Sequence, residues 1–297
     1  MNAAATVLRS SRPNFLILTP VCIFPGLAAA HSDGYALNAV TVFLIVLAGL
    51  LAHAAVNLLN EWDDYRSGLD LATQRTPFSG GSGALPAAPG ASQAVLVAGL
   101  TALAISAIIG VYLMSVVGPG LLLPGLLGVF LVVAYTAWIT RRPLLCLIAP
   151  GLGFGPIMVA GSYYAVAGEY SLGVLWASLT PFFLVSGLLL VNQFPDVEPD
   201  RVHGRLHYPI VLGPRIAARL FAGVLLMAYL LPVVGVAVGL LPTMALLVLL
   251  SAPFALQVGR KAIAHANETD LLTPWLGLNV ATLLATIVLL GVGFLLG

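Results

Sequence analysis

Two stretches carry residues able to do chemistry in an otherwise apolar chain. They read Asn60-Glu61-Trp62-Asp63-Asp64-Tyr65-Arg66-Ser67-Gly68-Leu69-Asp70 and Asn192-Gln193-Phe194-Pro195-Asp196-Val197-Glu198-Pro199-Asp200. With four and three carboxylates, they hold most of the chain's 11 acidic residues. Packing in lipid calls for none of them, because ionisable groups there are costly and mark function. Facing oxygen-rich groups suit Mg2+, which takes one or two carboxylates, water and substrate phosphate. Asn60 and Asp64 stack on one helix face, and Asn192, Asp196 and Asp200 form a similar row. Asp70 points elsewhere unless Gly68 ends the helix and turns the chain back. Pro195 and Pro199 should distort the second helix end and expose carbonyl oxygens as further ligands.

A polyphosphate held this way also needs cationic partners. Arg12, Arg75, Arg141, Arg142, Arg201 and Arg205 are the candidates; the plainer reading is that they fix topology or meet lipid headgroups. His203 and His207 stand alone, so no grouping suggests zinc, and Cys22 and Cys146 read as packing residues. An apolar cavity capped by metal and diphosphate suits departure of diphosphate from an allylic chain. The metal offsets charge on the leaving group, while dry aromatic walls protect the carbocation. Among the aromatic candidates Phe154, Tyr163, Tyr164 and Tyr135, we favour Tyr135.

The elements that must position these groups are transmembrane helices. The chain has 297 residues, 60% hydrophobic and 8% charged, with a mean hydropathy of +1.04, where a soluble domain carries about 25% charged residues. Nine spans are predicted at 14–30, 36–60, 92–113, 119–139, 144–166, 172–194, 215–236, 239–258 and 273–296. On this map all 12 Lys and Arg residues fall on the N-terminal side, which the positive-inside rule makes cytoplasmic. Arg9, Arg12 and Ala28-Ala29-Ala30 resemble a signal peptide, but Pro20 and Pro25 interrupt its apolar core, so the segment is read as the first span. His53 is the main ionisable residue inside a span and reads as packing. The longest polar connections, 61–91 and 195–214, follow the acidic clusters, and the Gly-rich Thr76–Pro86 stretch reads as a lid.

One acidic cluster closes span two and the other span six. This predicts an all-α membrane protein, one domain over 1–297, with nine helices around a central cavity. Its modules would be two four-helix units, 14–139 and 144–258, plus a ninth helix at 273–296, with the clusters meeting across the cavity.

These residues resemble the UbiA superfamily of intramembrane prenyltransferases. The carriers are Asn-x3-Asp-x5-Asp after span two and Asn-x3-Asp-x3-Asp-Arg after span six, with Arg12-Pro13, Tyr135-Thr136 and Gly151-Leu-Gly-Phe-Gly-Pro156 in support. The resemblance implies Mg2+ and transfer of a polyprenyl group from its diphosphate. Asn60, Asp64 and Asp70 would hold one ion and Asn192, Asp196 and Asp200 the other. Arg12 and Arg75 would meet diphosphate, joined by Arg141, Arg142 and Arg201; Asp64, Asp196 and Tyr135 would serve catalysis, with Asp196 or a neighbouring acid acting on the acceptor. The x5 spacing, Asn192-Gln-Phe-Pro-Asp196 and Gly161-Ser-Tyr-Tyr164 are similar to the menaquinone branch, whose acceptor is 1,4-dihydroxy-2-naphthoate. Arg141-Arg142-Pro143 departs from the longer basic loop usual there. Other acceptors (4-hydroxybenzoate, a tetrapyrrole, a glycerol phosphate lipid) and a terpene synthase are the alternatives, with a transporter as a remote one. The implied setting is the cytoplasmic (inner) membrane, with prenyl diphosphate, quinone precursor and lipid as partners and no nucleic acid.

Overall fold

The structure is a computed structural model that describes residues 2–297. Among these residues there is no strand. The principal helices are α1 (Pro13–Ser32), α2 (Ala39–Ser67), α3 (Pro89–Val117), α4 (Pro119–Ala134), α5 (Pro143–Ala167), α6 (Leu172–Asn192), α7 (Pro214–Ala237), α8 (Thr243–Ala264) and α9 (Thr269–Leu296). All except α4 are long and apolar enough to cross a membrane. Helix α4 rises only about 24 Å at 1.5 Å per residue, against a hydrocarbon core of about 30 Å.

The fourth span is therefore shorter than the 119–139 expected, and the cause is local. Arg142 precedes Pro143, which disfavours helical dihedrals at that position; Arg142 is extended, at φ −132° and ψ 106°. The chain leaves α4 through a 3-10 turn at Ile139–Arg141, with the Thr140 hydroxyl donating to the Thr136 carbonyl at 2.6 Å. The eighth span is shifted the other way, reaching Ala264 instead of residue 258.

Burial differs widely among the helices. In α6, 67% of the spanning window is buried, against 17% in α2. Leu184, Val185, Leu188 and Val191 of α6 form a core with Leu18 and Cys22 of α1, Phe221 and Leu225 of α7, and Leu276, Leu283 and Ile287 of α9. Small residues allow the close approach that lipid-embedded helices depend on. A Cβ at Gly26 of α1 would lie 2.1 Å from the Val159 carbonyl oxygen of α5. The hydroxyls of Tyr229, Ser251 and Thr286 form a closed triangle of 2.7–3.0 Å contacts joining α7, α8 and α9. Such interhelical polar contacts add stability where no water competes. Helix α2 is unlike this half: one side meets α3 and the other opens onto a chamber.

Candidate active site

The chamber has a volume of about 530 Å3 and is walled mainly by α2, α3, α4 and α5. Ile45 and Asp64 of α2 both line it, so it follows that helix for about 28 Å. Its walls are apolar along most of this length. A π-helical segment at Gly153–Ala160 holds Phe154 in the lining of α5; such bulges arise where a residue such as Pro156 breaks the regular ladder. The Phe154 ring stands edge-on to His53, with centroids 4.8 Å apart. His53 Nδ1 meets the Thr19 hydroxyl at 2.9 Å, so this buried histidine is hydrogen-bonded while also lining the chamber.

Polar groups concentrate at one end, the mouth. Asn60, Asp64, Asp70, Asn192, Asp196, Asp200, Tyr135 and Arg12 all line the chamber. Two local devices produce this convergence. Helix α2 continues past Asp64 to Ser67 and stops at Gly68, whose φ of 85° is the left-handed conformation glycine tolerates. A short helix, Leu69–Ala72, then returns Asp70 to the mouth. On the other side α6 ends at Asn192, and a turn through Pro195 leads to a short helix at Val197–Val202. The second row is thus a broken turn and not a continuous helix.

Arg205 joins the two clusters. Its guanidinium pairs with Asp64 from one cluster and, at 3.2 Å, with Asp200 from the other. The Arg205 amide donates to the Asp200 carbonyl at 3.0 Å, and the Leu206 amide to the Thr140 carbonyl at 2.9 Å, fixing the loop. His207 Nε2 lies 2.9 Å from the second Asp200 oxygen. Burial opposes the charge on Arg205, but Asp64 and Asp200 outweigh it and raise the guanidinium's pKa. Burial pushes the Asp70 carboxyl up to about 7, with Glu61 and Asp64 adding to it. Burial also pushes Asp196 up to about 7, reinforced by Asp200.

Three oxygens at the mouth are buried without a hydrogen-bond partner: Asp70 Oδ2, Asn192 Oδ1 and Asp196 Oδ1. Buried acceptors are seldom left unsatisfied, and exceptions cluster where a ligand or ion is meant to bind. Among the described residues no three His, Cys, Asp or Glu side chains are grouped to enclose an ion unaided. Asparagine oxygens, water and a substrate phosphate would have to complete a shell, as is usual for Mg2+. The donor set therefore fits magnesium bound together with a diphosphate.

The basic residues divide. Arg12 lines the mouth and is the one described non-glycine residue at positive φ, 52°. Four sequence candidates, expected to meet the diphosphate, lie outside the chamber lining. Arg141 and Arg142 are exposed on the turn that Pro143 forces, with the Arg142 guanidinium 4.6 Å from the Trp138 ring centroid. Arg201 is exposed and paired with Glu198 at 3.3 Å. Arg75 is exposed and lies outside the chamber lining, its guanidinium packed on Gly83. His207, read as isolated in the sequence, is bonded to Asp200. Glu61 and Ser82, not singled out from the sequence, are hydrogen-bonded beside the mouth. The Gly-Gly-Ser-Gly run was their only sequence signal.

An apolar multi-pass bundle with an oxygen- and guanidinium-lined mouth defines a membrane protein built to receive a greasy, anionic substrate. The model of the UbiA prenyltransferase family matches residues 19–273, and the chain belongs to that family. It is similar to the 1,4-dihydroxy-2-naphthoate octaprenyltransferase of Bacillus subtilis (strain 168), 28% identical over 73% of this chain and 69% of the relative. The 2-carboxy-1,4-naphthoquinone phytyltransferase of Synechocystis is 25% identical over 49% of this chain and 48% of its own length. Among solved structures, the UbiA homologue of Aeropyrum pernix K1 has a TM-score of 0.66 at 20% identity, covering 100% of this chain and 98% of that one. The Archaeoglobus fulgidus homologue bound to GPP and Mg2+ has a TM-score of 0.60 at 15% identity, covering 98% and 100%. These likenesses establish the fold.

Proposed function

We propose that the protein transfers a polyprenyl group from an allylic diphosphate to 1,4-dihydroxy-2-naphthoate, in a Mg2+-dependent reaction of menaquinone synthesis. The observation that carries this is the pairing of a membrane-deep apolar chamber with unsatisfied oxygens of both acidic clusters at its mouth. The named naphthoate and naphthoquinone relatives support the acceptor class, and the Archaeoglobus homologue's Mg2+ and GPP support the donor.

Asn60, Asp64 and Asp70 face Asn192, Asp196 and Asp200 as the two ligand groups. Bound Mg2+ would neutralise charge developing on the departing diphosphate. Arg12 and Arg205 supply guanidinium contacts to the same oxygens, and the chamber keeps water from the allylic carbon. The allylic C–O bond breaks, the electron pair leaving with diphosphate. The electron-rich acceptor carbon that bears the carboxylate then forms the new C–C bond; its bond to the carboxylate breaks, carbon dioxide leaves, and the electron pair returns to the ring and restores aromaticity. Tyr135, at the end of α4, presents its ring where positive charge develops. The clustering of basic residues on that side supports a mouth that opens to the cytoplasm, with the inner membrane as the setting.

The test is direct. Purified protein in detergent receives Mg2+, a prenyl diphosphate and, in separate reactions, 1,4-dihydroxy-2-naphthoate or 4-hydroxybenzoate, with products identified by mass. Prenylated naphthoquinol with release of diphosphate is expected. Product from 4-hydroxybenzoate alone would overturn the acceptor, and no prenylated aromatic product at all would overturn the reaction.

A further inference from the structure

Glu61 follows Asn60 on α2 yet does not line the chamber, and its side chain is fully buried. A buried carboxylate requires donors to compensate for lost hydration. Glu61 has three, all from outside α2. Arg12 Nη2 lies 3.3 Å away, the Ser82 amide donates at 2.9 Å, and the Ser82 hydroxyl donates to the other carboxylate oxygen.

Both partners belong to segments that close on the mouth. Arg12, just before α1, has the left-handed φ already noted, a conformation that non-glycine residues seldom adopt without being held. Ser82 belongs to Ser79–Gly83, which crosses from one acidic cluster to the other. The Gly80 amide donates to Asp196 at 3.2 Å. Gly81 packs so closely on Asp70 that a Cβ there would lie 2.5 Å from Oδ1. Gly80, Gly81 and Gly83 have φ of 80°, 74° and 71°, so only glycine suits this path. Within this run, Ser82 is the point of attachment to α2, and Glu61 is its anchor.

We infer that Glu61 is a positioning residue for the prenyl diphosphate: it fastens the Ser79–Gly83 loop across the mouth and aims Arg12 into the chamber. It touches neither the reacting atoms nor the ion ligands. The role in donor binding rests on the prenyl-transfer reading; the fastening does not, and the two are measured separately.

Hydrogen exchange of the purified, substrate-free protein in detergent reads the fastening. Glu61→Ala should speed exchange of peptides covering residues 73–83 by about tenfold or more, leaving α6 to α9 unchanged. Glu61→Gln, whose amide oxygen still accepts from the Ser82 amide, should fall between. Kinetics read the positioning. In Glu61→Ala the KM for prenyl diphosphate should rise about tenfold with the acceptor KM unchanged, and more donor should appear as free prenyl alcohol. If Glu61→Ala exchanges faster everywhere, Ser82→Ala, which removes the hydroxyl bond to Glu61 without altering α2, takes its place. Unchanged exchange at 73–83 in the variant used would overturn the fastening. An equal fall in kcat with unchanged donor KM would overturn the positioning. Faster loop exchange with no prenyl transfer by the wild type would sink the reaction while the fastening stands.

Discussion

The two acidic clusters reach the same mouth by different means. The first sits on a continuous helix: Asn60 and Asp64 are still within α2, and only Asp70 lies past the Gly68 stop. In the second only Asn192 still belongs to its helix; Asp196 and Asp200 lie beyond it, in a proline-broken turn and a short helix held through Asp200 by Arg205 and His207. One tip is set by its own backbone and the other by partners brought in from a later loop. The first should therefore tolerate loss of a neighbour, and the second should not.

The largest expected effect does not distinguish the tips. Asp64→Asn and Asp196→Asn should each lower turnover on the order of 1000-fold, since each removes a charge the ion and diphosphate depend on. Size-exclusion profiles should stay unchanged; near-wild-type turnover in either would refute the ligand assignment.

Arg205→Met separates the tips. It leaves Asp64 and Asp200 without their shared cation, and removing one member of a buried pair costs about 3–5 kcal/mol. Thermal unfolding should start earlier, and hydrogen exchange should rise over 193–207 but not over 60–67. Equal deprotection of both segments would erase the contrast.

Acidity gives a smaller effect on both sides. Asp70 and Asp196 stand at about 7 in the fold, above the ordinary 3.8. The folded protein then holds protons that the unfolded chain has released, so metal-free stability should fall as pH rises from about 4 to 7. Protons also compete with Mg2+ for these oxygens. Half-saturating Mg2+ should rise about tenfold or more between pH 8 and pH 6; a flat profile would place the ion elsewhere. Last come Arg142→Ala and Arg201→Ala, which should change the donor KM by less than about twofold, because exposed pairs contribute little.

Sequence pattern revealed the first tip better than the second, for the same physical reason. Asn60, Asp64 and the Gly68 stop follow helical periodicity and backbone sterics, which are local. The choice among Arg141, Arg142, Arg201 and Arg205 is not local: all four follow the ends of spans at the mouth end of the bundle, and the turns at Pro143 and at Gly204, whose φ is 78°, decide which reaches the acids. The Glu61–Ser82 contact depends on the path of the glycine-rich connection between α2 and α3, residues 68–88, which no periodicity encodes. The family motif identified the chamber, while the loops that close it had to be seen in three dimensions.

Helix α4 carries a consequence for the surrounding lipid. It falls short of the hydrocarbon thickness, yet Leu123, Phe130 and Val133, which do not line the chamber, are well exposed. A bilayer meeting a short apolar wall thins to match it, at a cost of fractions of a kcal/mol per Å. A leaflet thinned beside α4 would bring a long-tailed amphiphile drifting in it nearer the midplane at the chamber wall.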